Sequence, residues 1–239
     1  SVVNSGAIST FMNYAVVSEN RVIPVSNEHS LRELPLLGCA IPTGAGIVFN
    51  TAKINKGETV AVFGVGGVGL SAIIGARLRE AKSIIAIDIF NHKLELARNL
   101  GATHTINFKE QDIAACLNEI THNAGLDFSI EASGNRKAME LAFNSIRTGG
   151  GLCVIAGNLP AGETISINPI ELIKGKQIVG SWGGETQPDK DIPIYLNLYK
   201  TGKLKLNSLI TQTYKLEEIN QALDELEKGM LGRGLIEMT

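Results

Sequence analysis

The stretch Val60–Ile73, VAVFGVGGVGLSAI, decides the fold of this chain. A short apolar run breaks into Gly64-x-Gly66-Gly67-x-Gly69 and then resumes with helical spacing. Strand, glycine turn and helix in direct succession predict the first unit of a phosphate-binding βαβ fold. Each glycine has its own reason. Gly64 permits the tight turn, Gly66 lets the main chain approach a pyrophosphate with no Cβ in the way, and Gly69 lets the helix pack close to the strand. The N–H groups of Gly67 and Val68 then face phosphate oxygens, aided by the helix dipole. Glycine is abundant here, 26 residues in 239, so the motif draws its weight from context. That context includes an acid, Asp88, at the end of the next apolar run. Its carboxylate would accept hydrogen bonds from adenosine ribose hydroxyls and repel a 2′-phosphate, which predicts NAD rather than NADP. Ile89 adjoins that ribose; neither it nor Phe90 supplies an arginine to reverse the choice, and Lys93 lies within reach of the same sugar. The competing reading is a ligand-free glycine turn, with Asp88 only capping the next helix.

Outward from this unit a regular alternation holds. Strands are expected at 59–64, 83–88, 103–108, 126–133, 151–157 and 177–182, with helices at 68–79, 91–100, 111–121 and 136–145 between them. Six buried strands alternating with helices predict an α/β fold, a Rossmann doubly wound six-stranded parallel sheet with helices on both faces. After Trp182 the pattern turns helical, at 189–201 with a Pro188 start and a Gly202 stop, and at 216–229, before a closing strand GLIEM. Ahead of the sheet, FMNYAVVS and RVIPVS flank Glu19-Asn20 and read as a hairpin over Phe11–Val25. The apolar stretch Leu31–Ala52 is punctuated by Pro35, Gly38, Pro42, Gly44 and Gly46, with a helix expected from Thr43.

Composition excludes several classes. A formal net charge of −2 gives no bulk attraction to nucleic acid or to an anionic membrane. Three cysteines (Cys39, Cys116, Cys153) with no CxxC pair form no disulfide framework, so a reducing, cytoplasmic setting is expected. Leu34–Ala52 and Thr59–Ala76 carry no charge, yet prolines in one and glycines in the other argue against membrane spans. No GxxxxGK[ST] occurs, which counts against a P-loop NTPase. Tyr199 and Lys203 have the spacing of a short-chain dehydrogenase pair, but they fall after the sixth strand in a helix closed by Gly202.

With Cys39 the chain resembles a family. LLGCAIPTGAGIVFNTAKINKGETVAVFGVGGVGLSA, with the GCxxxTG block at Gly38–Gly44, the glycine loop, SIIAID, the LGAT of 100–103 and GRGLIEM at 232–238, resembles zinc-dependent alcohol dehydrogenases of the medium-chain dehydrogenase/reductase superfamily. The resemblance implies a coenzyme domain over 41–182, flanked by pieces of a partial catalytic domain at 1–40 and 183–239. It implies that Cys39 is one ligand of a catalytic zinc and that Thr43 packs on the nicotinamide. It places Ala132 on the adenine and ribose side, Ala156 and Asn158 at the carboxamide, and Arg233 at the pyrophosphate. Small alcohols, aldehydes or ketones are the implied substrates, exchanging hydride with NAD, and a homodimer or homotetramer is the implied assembly, paired through the strand near Gln177–Gly180. The family pattern also has an upstream Cys, a GHE histidine and a four-cysteine lobe, none of them in this sequence, so the resemblance implies a truncated chain. A catalytic zinc needs three protein ligands and an open position. His29, His92, His104 and His122 do not stand at ligand spacing with Cys39, so stable zinc binding by this chain is not expected. Two other functions compete: a non-catalytic NAD-binding module, and a zinc-free quinone or enoyl reductase relative, against which Cys39 counts. Trp182 reads equally as a pocket wall or a packed aromatic.

Overall fold

In the computed structural model the described residues are 10–26 and 32–238. Six strands, β1 (Thr59–Phe63), β2 (Ser83–Asp88), β3 (His104–Asn107), β4 (Phe128–Glu131), β5 (Leu152–Ile155) and β6 (Gln177–Gly180), form one parallel sheet in the order β3-β2-β1-β4-β5-β6. The expected doubly wound sheet is therefore present, and its order reverses between β1 and β4.

Parallel strands covered on both faces read as continuous apolar runs, because both side-chain directions are buried. Here Val60 and Val62 of β1 join Ile84, Ala86, Ile130 and Val154 in one core layer. Ala61 and Phe63 join Ile85, Ile87 and Cys153 in the opposite layer. Helices α1 (Ala40–Gly46), α2 (Gly67–Leu78) and α3 (Asn91–Leu100) cover the first face, and α4 (Ile113–Thr121) and α5 (Arg136–Ser145) the second. Helix α3 stops at Gly101, whose φ of 126° is a backbone state that L side chains rarely adopt.

A short helix α6 (Pro169–Ile173) precedes β6, and α7 (Pro188–Lys200) follows it, started by Pro188 as expected. Tyr195 and Leu196 of α7, with Leu204, Leu206 and Leu209, bury into the first core layer. The remaining segment is a separate βαβ unit outside the main sheet: β7 (Ile210–Lys215), α8 (Ile219–Glu227) and β8 (Arg233–Glu237), with β7 and β8 paired in parallel.

Three expectations need correction. The Phe11–Val25 segment forms no strand pair. Its backbone bonds close locally, Arg21 N–H to Ser18 at 2.9 Å and Val22 N–H to Glu19 at 3.3 Å, in a 3-10 turn over Glu19–Arg21. Glu19-Asn20 lacks the glycine that supplies the positive φ of a tight hairpin, and a two-stranded ribbon is marginal alone. The helix expected from Thr43 begins at Ala40 and runs on as a π-helical turn over Ile47–Thr51. Its glycines are contact points rather than breakers: a Cβ on Gly44 would overlap the Val68 carbonyl and sit 2.6 Å from Ser71 Cβ on α2. The helix expected at 216–229 is a 3-10 turn, Leu216–Glu218, followed by α8. Strand β7 and helix α6 were not foreseen.

Candidate functional site

The glycine loop has the tight turn at Gly64 and the close helix packing at Gly69 that its spacing predicts. Gly64 ends β1 with φ 84°, and a Cβ there would lie 2.6 Å from Ser133 Cβ. A Cβ on Gly69 would overlap the Gly64 carbonyl oxygen and approach Val62 at 3.2 Å, so α2 can sit on β1 only with glycine there. Gly66 is the opposite case. A Cβ there meets nothing within 4 Å, because it would point into a cleft of about 480 Å³. Gly66 is also the N-cap of α2 and offers no capping side chain, so the first-turn amides of Gly67 and Val68 are left for an outside acceptor.

Asp88 stands at the end of β2 and lines the same cleft, with Ile89 and Lys93. Its Oδ2 accepts the Val65 N–H at 2.8 Å, and its Oδ1 accepts those of Ile89 (2.8 Å) and Phe90 (3.1 Å). The carboxylate is thus fixed against the glycine loop and has remaining lone pairs for a sugar hydroxyl. It does not cap α3, whose N-cap is Phe90 without a side-chain bond. Ala132 lines the opposite wall with Ser133. Arg233 reaches in from β8 and packs on Gly67, where a Cβ would come within 2.9 Å of its Nη1. A guanidinium beside an open helix N-terminus is suited to a diphosphate.

The C-terminal βαβ unit contributes more than Arg233. Leu226, Glu227 and Gly229 line the cleft, and the Gly229 carbonyl lies 3.1 Å from His92 Nε2. Sequence reasoning missed these residues, along with Phe108, Asn135 and Glu131. Glu131 ends β4 as Asp88 ends β2, and that shared position is the signal that could have found it. Burial pushes its carboxyl above the usual range, opposed by hydrogen bonds from Ser133 and Gly134.

Ala156 and Asn158 line neither this cleft nor the next. They lie on the loop after β5, where the Ala156 N–H is taken by the Glu131 carbonyl at 2.8 Å, and Asn158 abuts Gly134. Cys39 and Thr43 line a separate cleft of about 570 Å³ together with Trp182. Trp182 is 91% exposed at the rim of that cleft, so it is not a packed core aromatic.

The thiol of Cys39 is free and exposed. Among the described residues no three His, Cys, Asp or Glu side chains come together to hold a metal ion. His92 and His104 are surface residues at the starts of α3 and β3, His122 closes α4, and His29 lies outside the described residues. These residues alone do not fit a zinc site. A dinucleotide is another matter: the open space at Gly66, the uncapped amides and the fixed carboxylate of Asp88 all fit it. Cys153 is buried, with its thiol pushed up to about 12 by that burial, and Cys116 is half-buried. Among the described residues no helix is long and apolar enough to cross a membrane.

The sequence signature of the zinc-binding dehydrogenases matches residues 67–201, more than half of the chain. The chain belongs to the zinc-binding dehydrogenase family. This zinc-binding dehydrogenase chain is 41% identical over 226 residues to an S-(hydroxymethyl)glutathione dehydrogenase of Saccharomyces cerevisiae, covering 92% of this chain and 58% of the yeast protein. It is 38% identical over 224 residues to alcohol dehydrogenase class-2 isozyme 2 of Oryctolagus cuniculus, covering 93% of this chain and 59% of the rabbit protein. Among solved structures, benzyl alcohol dehydrogenase from Acinetobacter calcoaceticus superposes with a TM-score of 0.93 at 35% identity, over 97% of this chain and 64% of that one. The chain therefore spans about three-fifths of the length of these family members.

Proposed function

We propose that this chain is the NAD-binding portion of a zinc-dependent alcohol dehydrogenase that interconverts small alcohols with aldehydes or ketones. The observation that carries the reading is the glycine loop, open at Gly66 and closed at Gly69, with Asp88 bonded to the Val65 amide beside it. The names of the related proteins support the substrate class.

In this reading the N–H groups of Gly67 and Val68, with Arg233, hold the diphosphate, and the dipole of α2 adds attraction. Asp88 grips the adenosine ribose, with Ile89 and Lys93 at the rim. The carboxylate also excludes a 2′-phosphate by charge. Ala132 packs along the adenosine side. Thr43 meets the nicotinamide, and the main chain at Ala156 and Asn158, on the loop after β5, binds its carboxamide. The nicotinamide, when bound, accepts or returns the hydride. Cys39 presents its thiol to the cleft that Thr43 and Trp182 share, where the alcohol is to sit.

Residues 41–182 form the coenzyme domain in this proposal, and the flanking segments belong to a catalytic lobe. The exposed edge at β6 is the pairing surface of a homodimer or homotetramer. A cytoplasmic location agrees with three free cysteines.

Fluorescence titration of the chain with NADH, with NADPH and with the Asp88→Asn variant tests the reading. NADH is expected to bind at least about 10-fold more tightly than NADPH, and the variant is expected to erase most of that preference. Equal affinity for both dinucleotides, unchanged by the substitution, would refute it.

A further inference from the structure

Glu131 is the last residue of β4, at the place where the strand order reverses, and it is fully buried. Its Oε1 accepts hydrogen bonds from the Ser133 N–H at 2.8 Å, the Gly134 N–H at 3.0 Å and the Ser133 hydroxyl. Its Oε2 is buried with no hydrogen-bond partner. Its main-chain carbonyl accepts the N–H groups of Ala156 at 2.8 Å and Gly157 at 3.0 Å. One residue thus ties down two loops, the β4–α5 loop through its side chain and the loop after β5 through its main chain.

The two loops touch only because glycines stand between them. A Cβ on Gly134 would lie 2.6 Å from the Asn158 carbonyl oxygen. One on Gly157 would lie 2.5 Å from Glu131 Oε2 and overlap the Gly134 amide nitrogen. A buried carboxyl with one idle oxygen is a costly way to fill space, and an apolar side chain would do so without the desolvation penalty. What the apolar side chain lacks is an acceptor for three donors of the β4–α5 loop.

A dinucleotide lies across the crevice at the strand reversal. Asp88 on β2 claims the adenosine half, and the N-terminus of α2 the diphosphate. The other half must extend past β4 toward β5, over the loops that Glu131 holds. We infer that Glu131 is a positioning residue that sets these two loops together and so fixes the second, nicotinamide-bearing nucleotide without touching it. This rests on the NAD reading above.

Binding of NADH is compared with binding of 5′-AMP, which occupies only the Asp88 end, in the wild type and three variants. Glu131→Ala is expected to weaken NADH at least about 10-fold while changing AMP by less than about 2-fold. Glu131→Gln keeps an oxygen for the three donors, and NADH affinity is expected to return to within about 3-fold of wild type. Gly157→Ala leaves Glu131 intact but wedges the loops apart, and is expected to reproduce the selective loss of NADH.

Parallel weakening of NADH and AMP would show a general structural role and overturn the inference. So would a Glu131→Gln variant as weak as Glu131→Ala, or NADH binding indifferent to all three changes. Should Glu131→Ala not fold cooperatively, the Glu131→Gln and Gly157→Ala pair decides the same question. A wild type that binds neither ligand sinks the NAD reading itself, and a wild type that binds both with indiscriminate variants sinks only the role of Glu131.

Discussion

Gly66→Ala and Gly69→Ala are the same chemical change three residues apart, and their consequences are expected to be opposite. At Gly66 the backbone is extended (φ −74°, ψ −164°), a conformation open to alanine, and the new methyl meets no protein atom within 4 Å. Reduced freedom of the unfolded chain favours the variant by about 0.4–1 kcal/mol, and the poorer N-cap offsets this by a similar amount. Stability is therefore expected to stay within about 1 kcal/mol of wild type. The methyl instead occupies the cleft in front of the Gly67 and Val68 amides. Losing even one charge-assisted hydrogen bond there costs about 1.5–3 kcal/mol, so NADH is expected to bind at least about 10-fold more weakly. At Gly69 the methyl overlaps the Gly64 carbonyl and comes within 3.0 Å of its carbon, so α2 must lift off β1. Overpacking of this kind costs about 1–3 kcal/mol, read as a lower urea midpoint. Urea melts and NADH titrations on both variants separate the effects. A Gly66→Ala variant that binds NADH like wild type, or a Gly69→Ala variant of undiminished stability, would refute the reasoning.

Asp127 ties the foot of β4 to β1 through the Thr59 N–H and hydroxyl, both at 2.9 Å, and pairs with Arg147 at 2.7 Å. Burial raises its pKa, but the Thr59 bonds and the Arg147 guanidinium outweigh that and hold the carboxyl below its ordinary 3.8. A depressed pKa stabilises the fold above the unfolded value and ceases to do so as pH falls through the folded one. The stability gap between wild type and Asp127→Asn is thus expected to be full above pH 3.8 and to close as the pH drops further, read by urea melts across pH. Zinc titration of the purified chain is expected to show no tight one-to-one site, and such a site, lost in Cys39→Ser, would count against this. Light scattering is expected to show a dimer at micromolar concentration that a Val179→Lys change on β6 weakens, and a monomeric wild type would contradict the edge pairing.

The centre of the sheet was legible because burial on both faces writes β1 and β2 as nearly unbroken apolar runs, as in SIIAID, and because glycine and acid mark the first two units. Strand β7 was not, since Ile210–Lys215 is largely exposed and polar and acquires its identity from β8, about twenty residues on. The start of α1 was hidden by Pro42, Gly44 and Gly46, which a local reading takes as breakers, whereas Gly44 lets α1 meet α2 closely and Gly46 lets it meet Gly184. The hairpin at Phe11–Val25 failed for the converse reason: local alternation was present, but no pairing followed. At the candidate site, the sequence spacing singled out Gly64, Gly66, Gly69 and Asp88, and the fold brings them around one cleft or its floor. Glu131, Leu226 and Gly229 did not, because their roles come from elements that meet only in the folded chain.

The most direct measurement is a crystal of this chain soaked with NADH. Diphosphate oxygens within hydrogen-bonding distance of the Gly67 and Val68 amides, with a ribose hydroxyl on Asp88, are the expected density. A dinucleotide lodged elsewhere, or a Gly66 cleft left empty at saturating ligand, would contradict the account.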